Sequence, residues 1–334
     1  MNTWQESLSE KERRLLVEKE PPAWVEPMLA TLTDDRFSDP DWIFERKLDG
    51  ERCLTFGDGE ALRLMSRNEK QLNVHYPDLE AALATLEPEQ FILDGEIVAF
   101  EGDVTSFSRL QQRMHIQNQE EAQQSDVKVY YYLFDLIYLD GYDTSQLPLR
   151  VRKSLLKRVF AYADPLRYMA HRNEVGASYF DEACERGWEG IIAKDGTQGY
   201  VNGRSRKWLK FKCVNQQELV IGGYTDPHGE RIGFGALLLG YYAANELQYA
   251  GKVGTGFDDD TLRRLHQRLQ ALERETPPFA TEDLPTSEVH WVAPRLVAEI
   301  GFEEWTEDKK LRQPRFLGLR SDKDARQVVK EEPA

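Results

Sequence analysis

Lys47, Asp49, Gly50 and Arg52 follow one another in the spacing K-x-D-G-x-R. Four fixed positions arise by chance in roughly one chain of this length in several hundred, so the pattern is suggestive and not decisive. A lysine amine, with a pKa of roughly 10.4, is protonated at pH 7 and becomes a nucleophile only where its charged form is disfavoured. Nearby cations would do that. The plainer reading is a strand ending in an Asp-Gly turn with solvated charges on either side. Two carboxylates add to the pattern. Glu96 lies inside the apolar run Phe91 to Phe100, where an unpartnered buried carboxylate is costly, so it is expected to face a cleft. Period-two alternation puts Asp94 on the same side, and a hairpin turn at Asp94-Gly95 is the competing reading. Glu189 comes directly after a helical stretch that ends at Arg186-Gly187-Trp188.

These residues need elements to hold them. Residues Ser7 to Glu20 read as a charged helix with a capping box from Ser9 to Glu12, stopped by Pro21 and Pro22. From Trp24 to about Lys212 the pattern is α+β. Strand-like runs such as Phe91 to Phe100 and Val129 to Leu139 alternate with helical faces such as Leu79, Ala82, Leu83 and Leu86. Val214 to Gln217 reads as a short polar linker. Strands are then expected at Glu218 to Thr225, Gly235 to Ala243, Leu247 to Gly254, His290 to Ile300 and Phe316 to Arg320. A single helix, with Leu262, Leu265, Leu269 and Leu272 on one face, follows the N-capping cluster Asp258 to Asp260. Five short strands with one helix between the third and fourth is the order of an OB-fold β-barrel, a common nucleic-acid platform. The expected map is an N-terminal helical extension over 1–22, an α+β domain over 23–213, a hinge at 214–217 and an OB-fold domain over 218–334.

Composition limits the function classes. The net charge of −15 opposes binding to nucleic acid through the whole surface, since phosphate binding needs clustered Lys and Arg. Two stretches run against that average. Arg204, Arg206, Lys207, Lys210 and Lys212 lie together, and Lys309, Lys310, Arg312, Arg315, Arg320 and Lys323 gather near the C-terminus. No apolar run is long enough for a membrane span, and the charged start lacks a signal peptide's apolar core, so no membrane contact and a cytoplasmic location are expected. Cys53, Cys184 and Cys213 are too few and too scattered for a disulfide framework or a zinc site, which suits a reducing compartment.

The lysine motif resembles the nucleotidyl-acceptor motif shared by ATP-dependent DNA ligases, RNA ligases and mRNA capping enzymes, and five further blocks follow in order. Asp94-Gly95-Glu96, Phe134-Asp135, Glu189 to Lys194, Lys207 to Lys212 and Phe316 to Lys323 each resemble a block of that superfamily. The similarity covers nearly everything from about Pro27 to Lys323. With Pro27-Met28-Leu29-Ala30 ahead of the lysine and Arg315 to Arg320 near the end, the chain is most similar to the ligase module of bacterial end-joining enzymes. Asn68-Glu69 departs from the pattern, since relatives often carry Gly there.

The resemblance implies an adenylation (nucleotidyltransferase) domain followed by an OB-fold domain. It also implies a reaction in which Lys47 takes AMP from ATP, passes it to a DNA 5′-phosphate, and the 3′-hydroxyl then displaces it. Asp49, Lys210 and Lys212 would join Lys47 in catalysis. Phe134 would stack on adenine and Glu45 would help read it, while Arg52, Arg67, Glu96, Arg204, Lys210 and Lys212 would contact the nucleotide or phosphates. Glu96 and Glu189 would hold magnesium, with manganese as a substitute. Arg320, Asp322 and Lys323 would orient pyrophosphate in the first step and then move away about the hinge. Nicked or broken duplex DNA and a Ku-like end-binding protein are the implied partners of a monomer.

The rival readings are an RNA ligase or capping-type nucleotidyltransferase and, less favoured, a non-catalytic DNA-end-binding protein. A P-loop enzyme is disfavoured, because no G-x-x-x-x-G-K-[ST] segment occurs and Gly251 to Gly256 has the wrong spacing.

Overall fold

Alternating apolar strands dominate the computed structural model, which describes residues 4–281, 283–285 and 288–332. The chain divides after Cys213 into two units, the second covering Val214–Glu332. The first begins with α1 (Glu10–Arg13), β1 (Val17–Glu18), β2 (Met28–Leu32), β3 (Trp42–Lys47), β4 (Glu51–Asp58) and β5 (Leu62–Ser66). α2 (Pro77–Leu83), β6 (Gln90–Glu101), β7 (Val104–Thr105), α3 (Phe107–Met114) and α4 (Gln119–Gln123) follow. β8 (Val129–Leu139), β9 (Tyr142–Asp143), α5 (Leu149–Val159), β10 (Leu166–Tyr168), β11 (His171–Asn173), α6 (Gly176–Glu185), β12 (Gly190–Asp195) and β13 (Gly203–Lys212) complete it.

Two sheets form the first unit. One has the order β1-β9-β8-β6-β4-β5, with β10 beside β8 and β7 beside β6; the other has the order β11-β3-β12-β13-β2. Period two gives each sheet two faces with different tasks. Phe91, Leu93, Ile97 and Ala99 of β6 pack outward with Leu79, Leu110 and Leu155 of the helices. The alternate residues Ile92 and Val98 join Leu54, Phe134 and Trp208 in a cluster that draws on both sheets. On the far side of the second sheet, Phe44, Ile191, Ala193 and Phe211 bury Tyr179 and Phe180 of α6, each such ring contributing about 1.5–3 kcal/mol. The inner faces of the two sheets therefore bound a cleft.

The second unit contains β14 (Asn215–Thr225), β15 (Leu237–Ala243), β16 (Glu246–Val253), α7 (Asp259–Gln270), β17 (Glu273–Arg274), β18 (Val289–Phe302) and β19 (Arg315–Arg320). Its sheet order is β16-β15-β14-β18-β17, with β19 beside β18. Phe316 N–H donates to the Thr255 carbonyl at 2.9 Å and Leu311 N–H to Ala250 at 2.9 Å, so the chain at β19 reaches back to the β16 edge. The sheet thus curls as an OB-fold barrel does. Asp258 caps α7 by accepting from Thr261 N–H at 2.7 Å, and Leu262, Leu265 and Leu269 turn into the core.

Three expectations need correction. The N-terminal helix spans only Glu10–Arg13, although the Ser9/Glu12 capping box forms. A lone short helix is marginal, and burial of Trp4 and Leu8 together with pairing of Val17–Glu18 to β9 decides the path instead. The polar stretch at the expected hinge is mostly strand: Asn215, Gln216 and Gln217 pair with Phe302, Gly301 and Ile300 of β18. Gln217 is buried because its amide donates to the Val329 carbonyl and accepts from Glu331 N–H, so its polarity marks hydrogen bonding and not solvation. Only Cys213 and Val214 lie between β13 and β14. Lastly, Cys184 and Cys213 form a disulfide, because the end of α6 and the end of β13 are brought together by the Cys213 N–H to Glu189 carbonyl bond; Cys53 is a buried thiol. The first three residues of the expected 1–22 extension and the last two of the expected C-terminal domain lie outside the described residues.

Candidate active site

The K-x-D-G-x-R motif crosses from one sheet to the other. Lys47 ends β3 and Arg52 lies at the start of β4, so three residues carry the chain across the cleft. Gly50 is required there because a Cβ would lie 2.2 Å from the Ile97 carbonyl oxygen and 2.7 Å from a Val98 methyl. Asp49 anchors the crossing: its N–H donates to Thr105 Oγ1 at 3.1 Å and its carboxylate accepts from Phe107 N–H at 3.4 Å, at the start of α3. Across the second sheet Lys47, Gly190 and Lys212 share one rung, and Glu45, Ile192 and Lys210 share the next on the same face. Gly190 permits this close register, since a Cβ would meet the Phe211 carbonyl oxygen at 1.9 Å.

Lys47 forms an ion pair with Glu189, and both side chains are largely buried. Its partner is thus an anion, not one of the cations expected to discharge it. The pair holds the Lys47 amine in place on this face.

The facing wall comes from β4, β6 and β8. Asp94 is fully buried and takes Arg52 Nε and Nη2 at 2.5 and 2.6 Å, with the Tyr200 hydroxyl donating at 2.6 Å. Burial would lower the Arg52 pKa, but Asp94 holds it well above the usual guanidinium range. Both Asp94 oxygens are thus taken up by Arg52 and Tyr200. Glu96 shares the cleft face, with its Cγ 3.1 Å from where a Gly50 Cβ would stand. Phe134 reaches the same space through a β-bulge. The ladder passes from Asp94 opposite Asp135 to Gly95 opposite Leu133, leaving Phe134 unpaired and re-aimed. Arg52 Cζ lies 4.6 Å and Lys194 Nζ 4.0 Å from its ring centre.

Glu45, on the cleft face of β3, is buried between two lysines. Lys153 of α5 contacts one oxygen and Lys194 of β12 lies 2.6 Å from the other. Burial alone would raise the Glu45 pKa, but the two ammonium groups hold it below the ordinary carboxylate range. Burial pushes the Lys194 ammonium down to about 8 against the pull of Glu45. Sequence reading gave no role to Lys153, Lys194 or Tyr200, although Lys194 closes one of the resembling blocks. Lys194 ends the apolar run Gly190 to Ala193, so the argument applied to Glu96 would have found it; Lys153 sits in a helix rich in Lys and Arg and carries no such signal.

The other expected residues have local surroundings of their own. Arg67 lies in the turn after β5, where Ser66 Oγ accepts from Lys70 N–H at 3.1 Å. Arg204 is exposed on β13 and donates to the Ala30 carbonyl at 2.7 Å. In the second unit Arg320 makes two 2.8 Å bonds to Asp322, and Lys323 lies 3.3 Å from Glu218. Among the described residues no three His, Cys, Asp or Glu side chains gather as a metal cluster. Two carboxylates nevertheless suit magnesium, which keeps waters and binds phosphates alongside one or two protein oxygens. No helix among the described residues is long and apolar enough to cross a membrane.

Two family models match the chain. The ATP dependent DNA ligase domain matches residues 27–212 and the ATP dependent DNA ligase C terminal region matches 230–323. The multifunctional non-homologous end joining protein LigD of Pseudomonas aeruginosa is 37% identical over 321 residues, covering 94% of this chain and 37% of that protein. The LigD of Mycobacterium bovis is 38% identical over 312 residues, covering 91% of this chain and 40% of that protein. The chain thus spans less than half the length of these relatives. Among solved structures, a mycobacterial DNA ligase D complexed with ATP and MES matches with a TM-score of 0.66 at 35% identity, covering 92% of this chain and 98% of that one.

Proposed function

The chain belongs to the ATP-dependent DNA ligases, and from that membership we propose that it adenylates Lys47 with ATP and joins 5′-phosphate to 3′-hydroxyl ends in duplex DNA. The observation that carries this reading is the position of Lys47: on the cleft face, paired with Glu189, and on one rung with Lys212. In the first step the Lys47 amine forms a bond to the α-phosphorus of ATP as the bond to the bridging oxygen breaks, and pyrophosphate leaves. The amine would leave its contact with Glu189 as it turns to the α-phosphorus. Lys210 and Lys212 project from β13 toward the same face and would neutralise charge building on the phosphates. Phe134 and Glu45 would receive adenine, and Arg52, fixed by Asp94, would present its remaining donor surface to the nucleotide. A magnesium or manganese ion held by Glu96 and Glu189 would supply further neutralisation of phosphate charge.

AMP then passes to the DNA 5′-phosphate, and the 3′-hydroxyl displaces it to form the phosphodiester. Arg67, Arg204, Arg320 and Lys323 would serve phosphate contacts at different stages, with Asp322 holding Arg320 in shape. The names of the relatives favour DNA over the RNA-ligase or capping-type alternative. They also favour a part in end joining; in that reading the chain works as a monomer with a Ku-like partner, and failure of a purified Ku-like protein to raise joining of double-strand ends would remove that partner. The test of the core reading is incubation with α-labelled ATP and magnesium before denaturing electrophoresis. Wild type should retain the label and seal a nicked duplex, and Lys47→Ala should do neither. Label retained by the variant would place the acceptor elsewhere.

A further inference from the structure

Buried charges that this reaction scheme leaves unused gather around Glu45. Lys153 is 1% exposed, yet its ammonium is fully engaged: it donates to Glu45 and to the Met169 carbonyl at 2.8 Å, and lies 4.6 Å from the Tyr168 ring centre. The preceding residue, Arg152, is equally buried and binds Asp135 through Nε at 2.7 Å and Nη2 at 2.9 Å. Neighbouring positions on a helix diverge by about 100°, so one turn of α5 can address two different sheets. Arg152 reaches β8 at the residue next to Phe134, and Lys153 reaches β3 at Glu45. The two groups assigned to the base of ATP are therefore held from a single helix.

The charges around Glu45 also differ in how firmly they are tied. Lys194 has Glu45 and two ring faces, Phe134 and Trp208, each 4.0 Å from its nitrogen. Lys153 has a carboxylate and a main-chain carbonyl. Movement of Lys194 on nucleotide entry would leave Glu45 anchored by Lys153 alone. A carboxylate with only a mobile partner would follow that partner or take up a proton, and in either case would lose its direction as an acceptor for the amino group of adenine.

We propose that Lys153 is a positioning residue for adenylation: from α5 it fixes the Glu45 carboxylate at the base-binding end of the cleft, and so sets selection of the 6-amino purine. This rests on the reading of Glu45 as a base contact. The experiment compares formation of the lysyl-nucleotide adduct from ATP (lysyl-AMP) and from purine riboside triphosphate, which lacks the 6-amino group, in the full chain and in Lys153→Met, Glu45→Gln and the double variant. Loss of one charged hydrogen bond should raise the KM for ATP in K153M by about tenfold or more, with a smaller change in kcat, and should narrow the preference for ATP over the analogue. The double variant should discriminate no worse than E45Q. A merely structural role would lower stability and the active fraction without changing the ratio between the two nucleotides.

Wild-type KM and preference in K153M, beside an E45Q that has lost them, would overturn the assignment of Lys153 while leaving Glu45 in place. An E45Q that still prefers ATP would overturn the role of Glu45 and this one with it. Should K153M fail to fold, Lys153→Gln replaces it under the same criteria, since its amide can still serve the Met169 carbonyl without carrying the charge.

Discussion

Asp94 has no exposed surface, and Arg52 and Tyr200 both direct their polar ends at it. Neutralising that carboxylate in Asp94→Asn keeps the shape but leaves the Arg52 guanidinium without its counter-charge. Breaking a buried pair in this way costs about 3–5 kcal/mol, whereas Tyr200→Phe removes one hydrogen bond and should cost about 1 kcal/mol. Denaturant unfolding of the full chain should show that order, with D94N the weaker protein and the poorer adenylator. Equal stability of D94N and wild type would mean that the pair is not what holds Arg52. At the same scale, Lys47 shows why residue type alone underdetermines chemistry: its partner in the structure is the Glu189 carboxylate and not a cation.

Among the elements, β12 leaves little room for change. It lies between β3 and β13, so it fixes Lys47 against Lys212 and, through Glu189 just before it, supplies the partner of Lys47. Gly190 has φ near +148°, and an added Cβ would strike main-chain oxygen, which cannot rotate aside. Gly190→Ala should therefore cost more than about 1 kcal/mol and should reduce adenylation, because relief requires β12 and β13 to separate. A variant with wild-type unfolding and labelling would show that the strand spacing is soft. α5 is the complementary case, holding strands of two sheets through adjacent cations.

For the whole molecule, the acidic average of −15 coexists with basic stretches that are only partly available to DNA. Arg312 lies 2.7 Å from Glu304, Arg320 is tied to Asp322, and Lys207 is 3.3 Å from Asp195, while Arg204 and Arg206 are exposed. Fewer phosphate contacts should form than the count of cations suggests. Binding to a nicked duplex should still weaken at least about tenfold between roughly 50 and 200 mM salt, with a shallower slope than about ten contacts would produce. Titration by fluorescence anisotropy would measure it, and a flat response would show that counterion release does not drive binding.

Local spacing was enough to reveal the K-x-D-G-x-R motif, the long strands β6 and β8, the capped helix α7 and the five principal strands of the second unit, because period and capping are properties of neighbours in the chain. The cleft-facing side of Glu96 was legible for the same reason, as a charge in an otherwise apolar run. The bulge that re-aims Phe134 was not, since Val129 to Leu139 is apolar almost throughout and shows no break in alternation. Nor could spacing disclose that Glu45 is shared by Lys153 and Lys194, 108 and 149 residues away, that Asp94 is committed to Arg52, or that Cys184 meets Cys213. Those pairings depend on which strands become neighbours, and buried charge is stable only where a partner from elsewhere in the chain arrives to meet it.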